Sequence, residues 1–270
     1  MQLGIGSYAY AWAIGVPGHP PAQPMTAFDL LDEAVRLGVR LVQICDNLPL
    51  TKLTPAELDR FQALAAERKI QVEVGTMGLN PENLHAYLQL ARRFNSPFVR
   101  LVVDSPGDEP TPEAIVARLR PIVDQYAAAG VRLAIENHDR LRSETLAWIV
   151  EQLGVQHVGI CLDTVNSFGS LEGPAVVVKN LGRYTLCLHA KDFTIRRVSH
   201  RMGFVLDGCP AGAGQLDVPW LIGQLTSSRH PFNVVLETWV APSETLADTI
   251  ARERAWTEQG VKYLRGLIAN

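Results

Sequence analysis

The feature that most restricts the fold of this chain is an alternation: eight short aliphatic or β-branched runs are separated by longer amphipathic stretches. The runs cover 3–8, 39–45, 70–74, 98–103, 131–135, 157–162, 184–189 and 233–236. Helical patterns lie near 26–37, 55–68, 81–95, 111–129, 143–153, 172–182, 217–227 and 245–267. Runs with so few polar residues suit parallel strands covered on both faces rather than antiparallel strands with one wet face. Thr54-Pro55-Ala56-Glu57 and Thr111-Pro112-Glu113 each place a cap, a first-turn proline and an acidic residue at a helix start, and Asn80-Pro81 opens a third helix. Gly38, Gly130 and Gly154 stand where helices should stop before strands.

Eight strand–helix units in 270 residues leave about 34 residues for each, the size of a unit in one closed barrel. The expected fold is therefore α/β, a single (β/α)8 TIM barrel filling 1–270 as one domain. A doubly wound open sheet would alternate in the same way. Against it, the count is eight, and Gly4-x-Gly6 lies inside the first strand, where it is a poor phosphate loop.

Composition narrows the partners. Twenty-five basic against 28 acidic residues, a net charge of −3, gives no electrostatic draw toward nucleic acid or an anionic membrane. Four cysteines without C-x-x-C spacing, three of them inside strand runs, point to a reducing compartment. The N-terminal stretch lacks a basic region, and no window approaches the roughly 18 apolar residues of a membrane span. The expected location is cytoplasmic, with a small molecule as partner and neither nucleic acid nor membrane.

A barrel of this kind builds its active site from residues at the carboxyl ends of its strands. The eight ends offer Tyr8, Tyr10 and Trp12; Asp46-Asn47; Glu73 and Thr76; Arg100 and Asp104; Glu136-Asn137-His138-Asp139; Asp163-Thr164-Val165-Asn166; His189-Ala190-Lys191-Asp192; and Glu237-Thr238-Trp239. Glu136, Asp163, His189 and Glu237 thus follow four consecutive apolar runs. Three carboxylates and an imidazole converging on one mouth repel one another unless a cation or protons intervene, and a divalent metal is the natural solution. Oxygen-rich ligands with one nitrogen and no cysteine suit Mn²⁺ first, then Mg²⁺, Co²⁺ or Zn²⁺. The plainer alternative is that such acids cap helices or face solvent; four on consecutive strands weigh against it.

Ile135-Glu136-Asn137-His138, Cys161-Leu162-Asp163-Thr164-Val165-Asn166-Ser167, His189-Ala190-Lys191-Asp192-Phe193 and Leu236-Glu237-Thr238-Trp239 resemble, in order and spacing, the xylose-isomerase-like barrel superfamily of sugar (phosphate) isomerases and epimerases. The resemblance implies that Glu136, Asp163, His189 and Glu237 bind one divalent metal, and that Glu136 and Glu237 exchange protons with the carbon beside a carbonyl. The expected activity is a metal-dependent isomerase or epimerase of a keto sugar or related polyol, working through an enediolate. A carbon–oxygen or carbon–carbon lyase on a keto sugar, such as a dehydratase or deglycosidase, would begin with the same chemistry. The related apurinic endonucleases use a richer histidine set, for which Asp163-x-x-Asn166, Asn47 and Thr76 are poor substitutes.

Around the metal, Lys191 and His138 are candidate catalytic residues that polarise or protonate substrate oxygens. Lys191 could instead pair with Asp192, and His138 could be a supporting hydrogen-bond partner. Asn166 is expected to orient Asp163 or a water. Trp12 and Trp239 could form an apolar wall against a sugar, or simply cover the mouth. The stretch 191–216 reads as a long loop without regular structure; its Arg196 could bind an anionic substrate group or belong to a solvated charge run. Association into a homo-oligomer is an expectation drawn from the resemblance alone.

Overall fold

The structure, a computed structural model, describes residues 1–227 and 231–268. Eight parallel strands close into a barrel: β1 (Leu3–Gly6), β2 (Leu41–Ile44), β3 (Gln71–Met77), β4 (Phe98–Val102), β5 (Arg132–Glu136), β6 (Val158–Asp163), β7 (Thr185–Ala190) and, after a hairpin of β8 (Asp192–Arg197) and β9 (Phe204–Cys209), β10 (Asn233–Leu236). β10 pairs with both β7 and β1, so the barrel has no open edge. Helices α1 (Ala11–Ile14), α2 (Ala27–Leu37), α3 (Pro55–Glu67), α4 (Pro81–Phe94), α5 (Pro112–Ala128), α6 (Ser143–Leu153), α7 (Pro174–Leu181), α8 (Val218–Thr226) and α9 (Leu246–Arg265) occur between or after the strands. No helix among the described residues is long and apolar enough to cross a membrane.

Local chemistry sets the helix starts. Thr54 accepts from the amide of Glu57 while the Glu57 carboxylate takes back the Thr54 amide, a reciprocal cap repeated by Thr26 and Asp29. Asn80 and Thr111 cap α4 and α5, each ahead of a first-turn proline. Caps of this kind are worth about 1 kcal/mol each. Gly38 and Gly130 take the left-handed conformation expected at helix ends, with φ of 66° and 70°.

The period of two along each strand sorts the core into two parts. Outward residues such as Val42, Val74, Leu133, Ile135, Ile160, Leu162 and Leu188 pack beneath the helices in the main core. Inward residues Leu41, Phe98, Ala134, Cys161, Cys187 and Val235 form a smaller plug inside the barrel, joined by Leu186, which a register shift between Ile160 and Cys161 turns inward beside Cys187. Ala134, Cys161, Cys187 and Val235 each precede a polar residue two positions later: Glu136, Asp163, His189 and Glu237. Register sets Asp163 directly beside His189, with Glu136 beside Cys161 and Leu236 beside Ala190 on the flanking strands. The repeat that fills the core therefore lifts four ionisable groups onto the mouth.

Three sequence expectations change. The first strand stops at Gly6, and Ser7–Tyr10 forms one turn of 3-10 helix. Glu73 is not a strand end; it lies mid-strand beside Gln43, because β3 continues to Met77. The stretch 191–216 is not an irregular loop, since β8 and β9 pair antiparallel from Asp192–Cys209 to Arg197–Phe204. Its arginines hid a strand-forming alternation that includes Phe193, Ile195 and Val205, while Arg201 and Gly203 take positive φ in the turn.

Candidate active site

Glu136, Asp163, His189 and Glu237 are all buried, and they converge. His189 Nδ1 lies 3.3 Å from Glu136 Oε2, 3.5 Å from Glu237 Oε1 and 3.9 Å from Asp163 Oδ2. One ligand atom each from Glu136, Asp163 and His189 fall within 4.8 Å of one another. Gly6 makes room for Glu237, because a Cβ there would stand 2.9 Å from its Oε1.

Lys191, directly beyond β7, turns into the cluster. Its Nζ is 2.8 Å from Asp163 Oδ2 and 3.0 Å from Glu237 Oε2, so the ion pair weighed with Asp192 is made with two other carboxylates. Burial opposes its charge, but Asp163, Glu237 and Glu136 outweigh burial and hold the ammonium protonated. Asp192 has a different occupation: its two oxygens accept the amides of Gly212, Gly214 and Leu216, tying the glycine-rich segment to the base of the hairpin. Those glycines build a turn around a protein carboxylate.

Glu136 is held on both sides. Oε1 accepts from Asn166 Nδ2 at 2.8 Å, and Oε2 accepts from Arg100 Nε. Burial alone would raise its pKa; Arg100 and His189 prevail and keep the carboxyl well below the usual carboxylate range. Asp163 is anchored through Oδ1 by the amides of Val165 and Asn166, at 2.8 and 2.9 Å. Asn166 thus orients both Asp163, through its backbone, and Glu136, through its side chain. Asn137 ties the ends of β5 and β6 together, donating to the Asp163 carbonyl and accepting its amide.

Arg100 was only a strand-end residue in the sequence. Buried inside β4, it also pairs with Asp46 at 2.7 Å, and Asp46 accepts the Tyr8 hydroxyl at 2.6 Å. The gap that admits it is Gly75, whose added Cβ would meet Arg100 Cδ at 2.9 Å. An inward-pointing basic residue in an otherwise apolar strand was its signal, one shared with any buried ion pair.

The cluster suits a divalent cation on two grounds. Asp163 Oδ2, His189 Nδ1 and both oxygens of Glu237 are buried without a partner in hydrogen-bonding geometry, although Lys191 stands within ion-pair distance of two of them. Asp46, Glu136, Asp163 and Glu237 also outnumber Arg100 and Lys191 by two charges when His189 is neutral. Without a cation that excess drives His189 toward its protonated form, with a pKa well above the ordinary value despite burial.

Two adjoining cavities open above the cluster. One, of about 380 Å³, is lined by Asn166, Phe168, Lys191, Leu206 and Trp239 among others. The second, about 430 Å³, includes Tyr8, Trp12, Lys191, Leu206 and Trp239. Trp12 and Trp239 therefore do stand on one wall, each anchored by its indole N–H, to the Val240 carbonyl at 2.8 Å and the Asp192 carbonyl at 2.9 Å. A larger cavity of about 930 Å³ lies away from this chemistry, between α2 and α9.

His138 and Arg196 are not brought into the cluster. β5 ends at Glu136, so strand alternation no longer governs His138, which stands partly exposed with Nδ1 3.4 Å from Asp139. Arg196 points outward from β8, 62 % exposed, and pairs with Asp207 at 3.1 Å.

Known proteins share this fold. The chain is 29% identical over 266 residues, 98% of its length and 95% of the relative's, to the 3-oxo-isoapionate decarboxylase of Pectobacterium atrosepticum. Its fold matches that of D-psicose 3-epimerase with D-tagatose from Clostridium cellulolyticum, at a TM-score of 0.75 and 14% identity over 99% of both chains. It also matches a xylose isomerase-like TIM barrel protein from Mycobacterium smegmatis in complex with magnesium, at a TM-score of 0.71 and 14% identity over 97% of both. The sequence pattern of the xylose isomerase-like TIM barrel matches residues 31–267, and this chain belongs to that family.

Proposed function

We propose that this chain, acting as one domain, is a divalent-metal-dependent lyase that removes the carboxyl group of a 3-oxo sugar acid. The observation that carries the reading is the inequality of the two glutamates: both Glu136 oxygens are engaged by Asn166 and Arg100, whereas neither Glu237 oxygen has a hydrogen bond. Epimerisation needs a proton removed from one face and another returned on the opposite face, which asks for two free groups. Loss of CO₂ from a 3-oxo acid needs one proton: the C–C bond breaks, its electron pair passes to the carbonyl as an enolate, and the vacated carbon is protonated once. The name of the Pectobacterium relative supports the same reaction class.

In this reading Glu136, Asp163, His189 and Glu237 hold the metal, which supplies Lewis-acid stabilisation for negative charge developing beside the substrate's carbonyl. Glu136 is an anchor; Glu237 takes up one proton from solvent and passes it to the vacated carbon. Lys191 lines both cavities and offsets charge on a substrate oxygen. Trp12, Trp239, Phe168 and Leu206 give an apolar wall for the carbon skeleton and exclude water. Asn166 positions Glu136 and Asp163.

The test is to incubate the Mn²⁺-loaded protein with 3-oxo sugar acids and with keto sugars in D₂O. Release of one CO₂ per product, with one deuterium at the vacated carbon, is expected. Formation of an epimer or isomer from a keto sugar, with no CO₂ from any acid, would overturn the reading in favour of a two-glutamate isomerase.

A further inference from the structure

Beneath the mouth the barrel axis carries buried polar groups that the proposed reaction does not use. His189 Nε2 lies 2.6 Å from Gln43 Oε1, an amide oxygen that only accepts. Gln43 Nε2 donates to Glu73 Oε2 at 3.0 Å, and Asn233 Nδ2 donates to Glu73 Oε1 at 2.7 Å. Asn233 Oδ1 in turn accepts the backbone amide of Gln2 at 3.0 Å. His189, Gln43 and Glu73 are fully buried. Each donor group bonded to Glu73 belongs to an amide, and each of those amides accepts a proton from beyond. Glu73 accepts one hydrogen bond on each oxygen, so reversing the Gln43 amide would set two accepting oxygens together and turn its NH₂ against the imidazole; Glu73 thereby holds that amide's direction.

We propose that Gln43 and Glu73 are positioning residues that select the tautomer of His189: Glu73 orients the Gln43 amide, the amide oxygen takes the Nε2 proton, and Nδ1 is left with its lone pair toward Glu136, Asp163 and Glu237. The inference rests on the metal-binding reading above and adds to it two residues from strands β2 and β3, which face β6 and β7 across the barrel. Without the acceptor a neutral imidazole would also populate the form that points an N–H at the cation. Loss of such supporting partners commonly weakens metal binding about 10–100-fold.

Mn²⁺ affinity, measured from the electron paramagnetic resonance signal of free Mn²⁺, tests this without recourse to turnover. Gln43→Met removes the acceptor at similar volume and should weaken binding about 10–100-fold. Gln43→Glu keeps an oxygen opposite Nε2 but sets two carboxyl groups together, so it should melt lower than Gln43→Met and yet bind Mn²⁺ more tightly. That reversed order is what a merely structural role would not produce. Equal affinity of Gln43→Met and the wild type, or affinities that simply follow melting temperature, overturns the inference. If Gln43→Met fails to fold, Glu73→Gln decides, because it changes no atom touching His189: weakened binding supports the relay and unchanged binding overturns it. Wild-type protein that binds no Mn²⁺ sinks the metal reading itself, and this inference with it.

Discussion

On the β5–β6 side of the mouth, Glu136 is fastened by Asn166 and Arg100, and Asp163 by two backbone amides. On the β10 side, Glu237 reaches the same space with neither oxygen hydrogen-bonded, Lys191 Nζ standing 3.0 Å and His189 Nδ1 3.5 Å away. Both sides are buried and both carry carboxylates, yet one is braced and the other is left without a hydrogen bond. A braced carboxylate has a fixed position, which suits a ligand; an unbraced one can change its partner, which suits chemistry.

The largest effect should come from exchanging the two sides. Glu237→Gln is expected to cut turnover about 10²–10⁴-fold at saturating Mn²⁺, with Mn²⁺ affinity changed less than in Glu136→Gln. Equal affinities and equal rates in the two variants would erase the distinction. Removing the brace comes next: Arg100→Met leaves Glu136 and Asp46 uncompensated and should destabilise the metal-free protein by about 3–5 kcal/mol in denaturant melts. An unchanged melt would mean that Arg100 does not brace the β5 side. Lys191→Met should lower kcat while tightening Mn²⁺ binding, because the ammonium no longer shares Asp163 and Glu237. Weaker Mn²⁺ binding in that variant would place Lys191 among the supports of the site instead.

A carboxyl outside the cluster sharpens the same contrast. Glu253, buried under α1, accepts the amides of Trp12 and Ala13 at 2.9 and 3.0 Å, and burial still pushes it up to about 7. Because its folded pKa lies above its unfolded one, the unfolded state ionises first as pH rises, and this group's contribution to stability falls from about pH 4.5 to about pH 7. Glu136 has the opposite sign, its stabilisation being present above the unfolded pKa and lost as acid protonates it. Melting temperatures of Glu253→Gln should therefore decline less than those of the wild type over that interval, and parallel curves would refute the assignment. The smallest effect is expected at Arg196, an exposed pair with Asp207: Arg196→Ala should leave kcat/KM within about twofold. A loss beyond tenfold would return it to the substrate site.

Several elements were legible because their signals are local. Thr54, Asn80 and Thr111 announce helix starts through their own hydrogen bonds, and Glu136, Asp163, His189 and Glu237 stand where a two-residue period must carry them inward. The hairpin was not legible, because Arg196 and Arg197 mask a strand whose pairing partners lie 7 to 17 residues later, from Arg197–Phe204 to Asp192–Cys209. Arg100 and Gln43 were missed for a different reason. Each is a single polar residue in an apolar run, and its meaning depends on which side chains face it across the barrel.

The sequence by itself determined the count of barrel strands, their parallel closure and the placing of Glu136, Asp163, His189 and Glu237 at one rim, since hydrophobic period and strand-end position are properties of short segments. Tertiary structure alone decided that Glu136 is tied to Arg100 while Glu237 has no hydrogen bond, that Lys191 turns toward Asp163 and Glu237 rather than Asp192, and that His189 rests on Gln43 and Glu73. The reason is physical: in a closed barrel, inward side chains meet according to register and to the space left by Gly6 and Gly75, and neither is a property of any one segment.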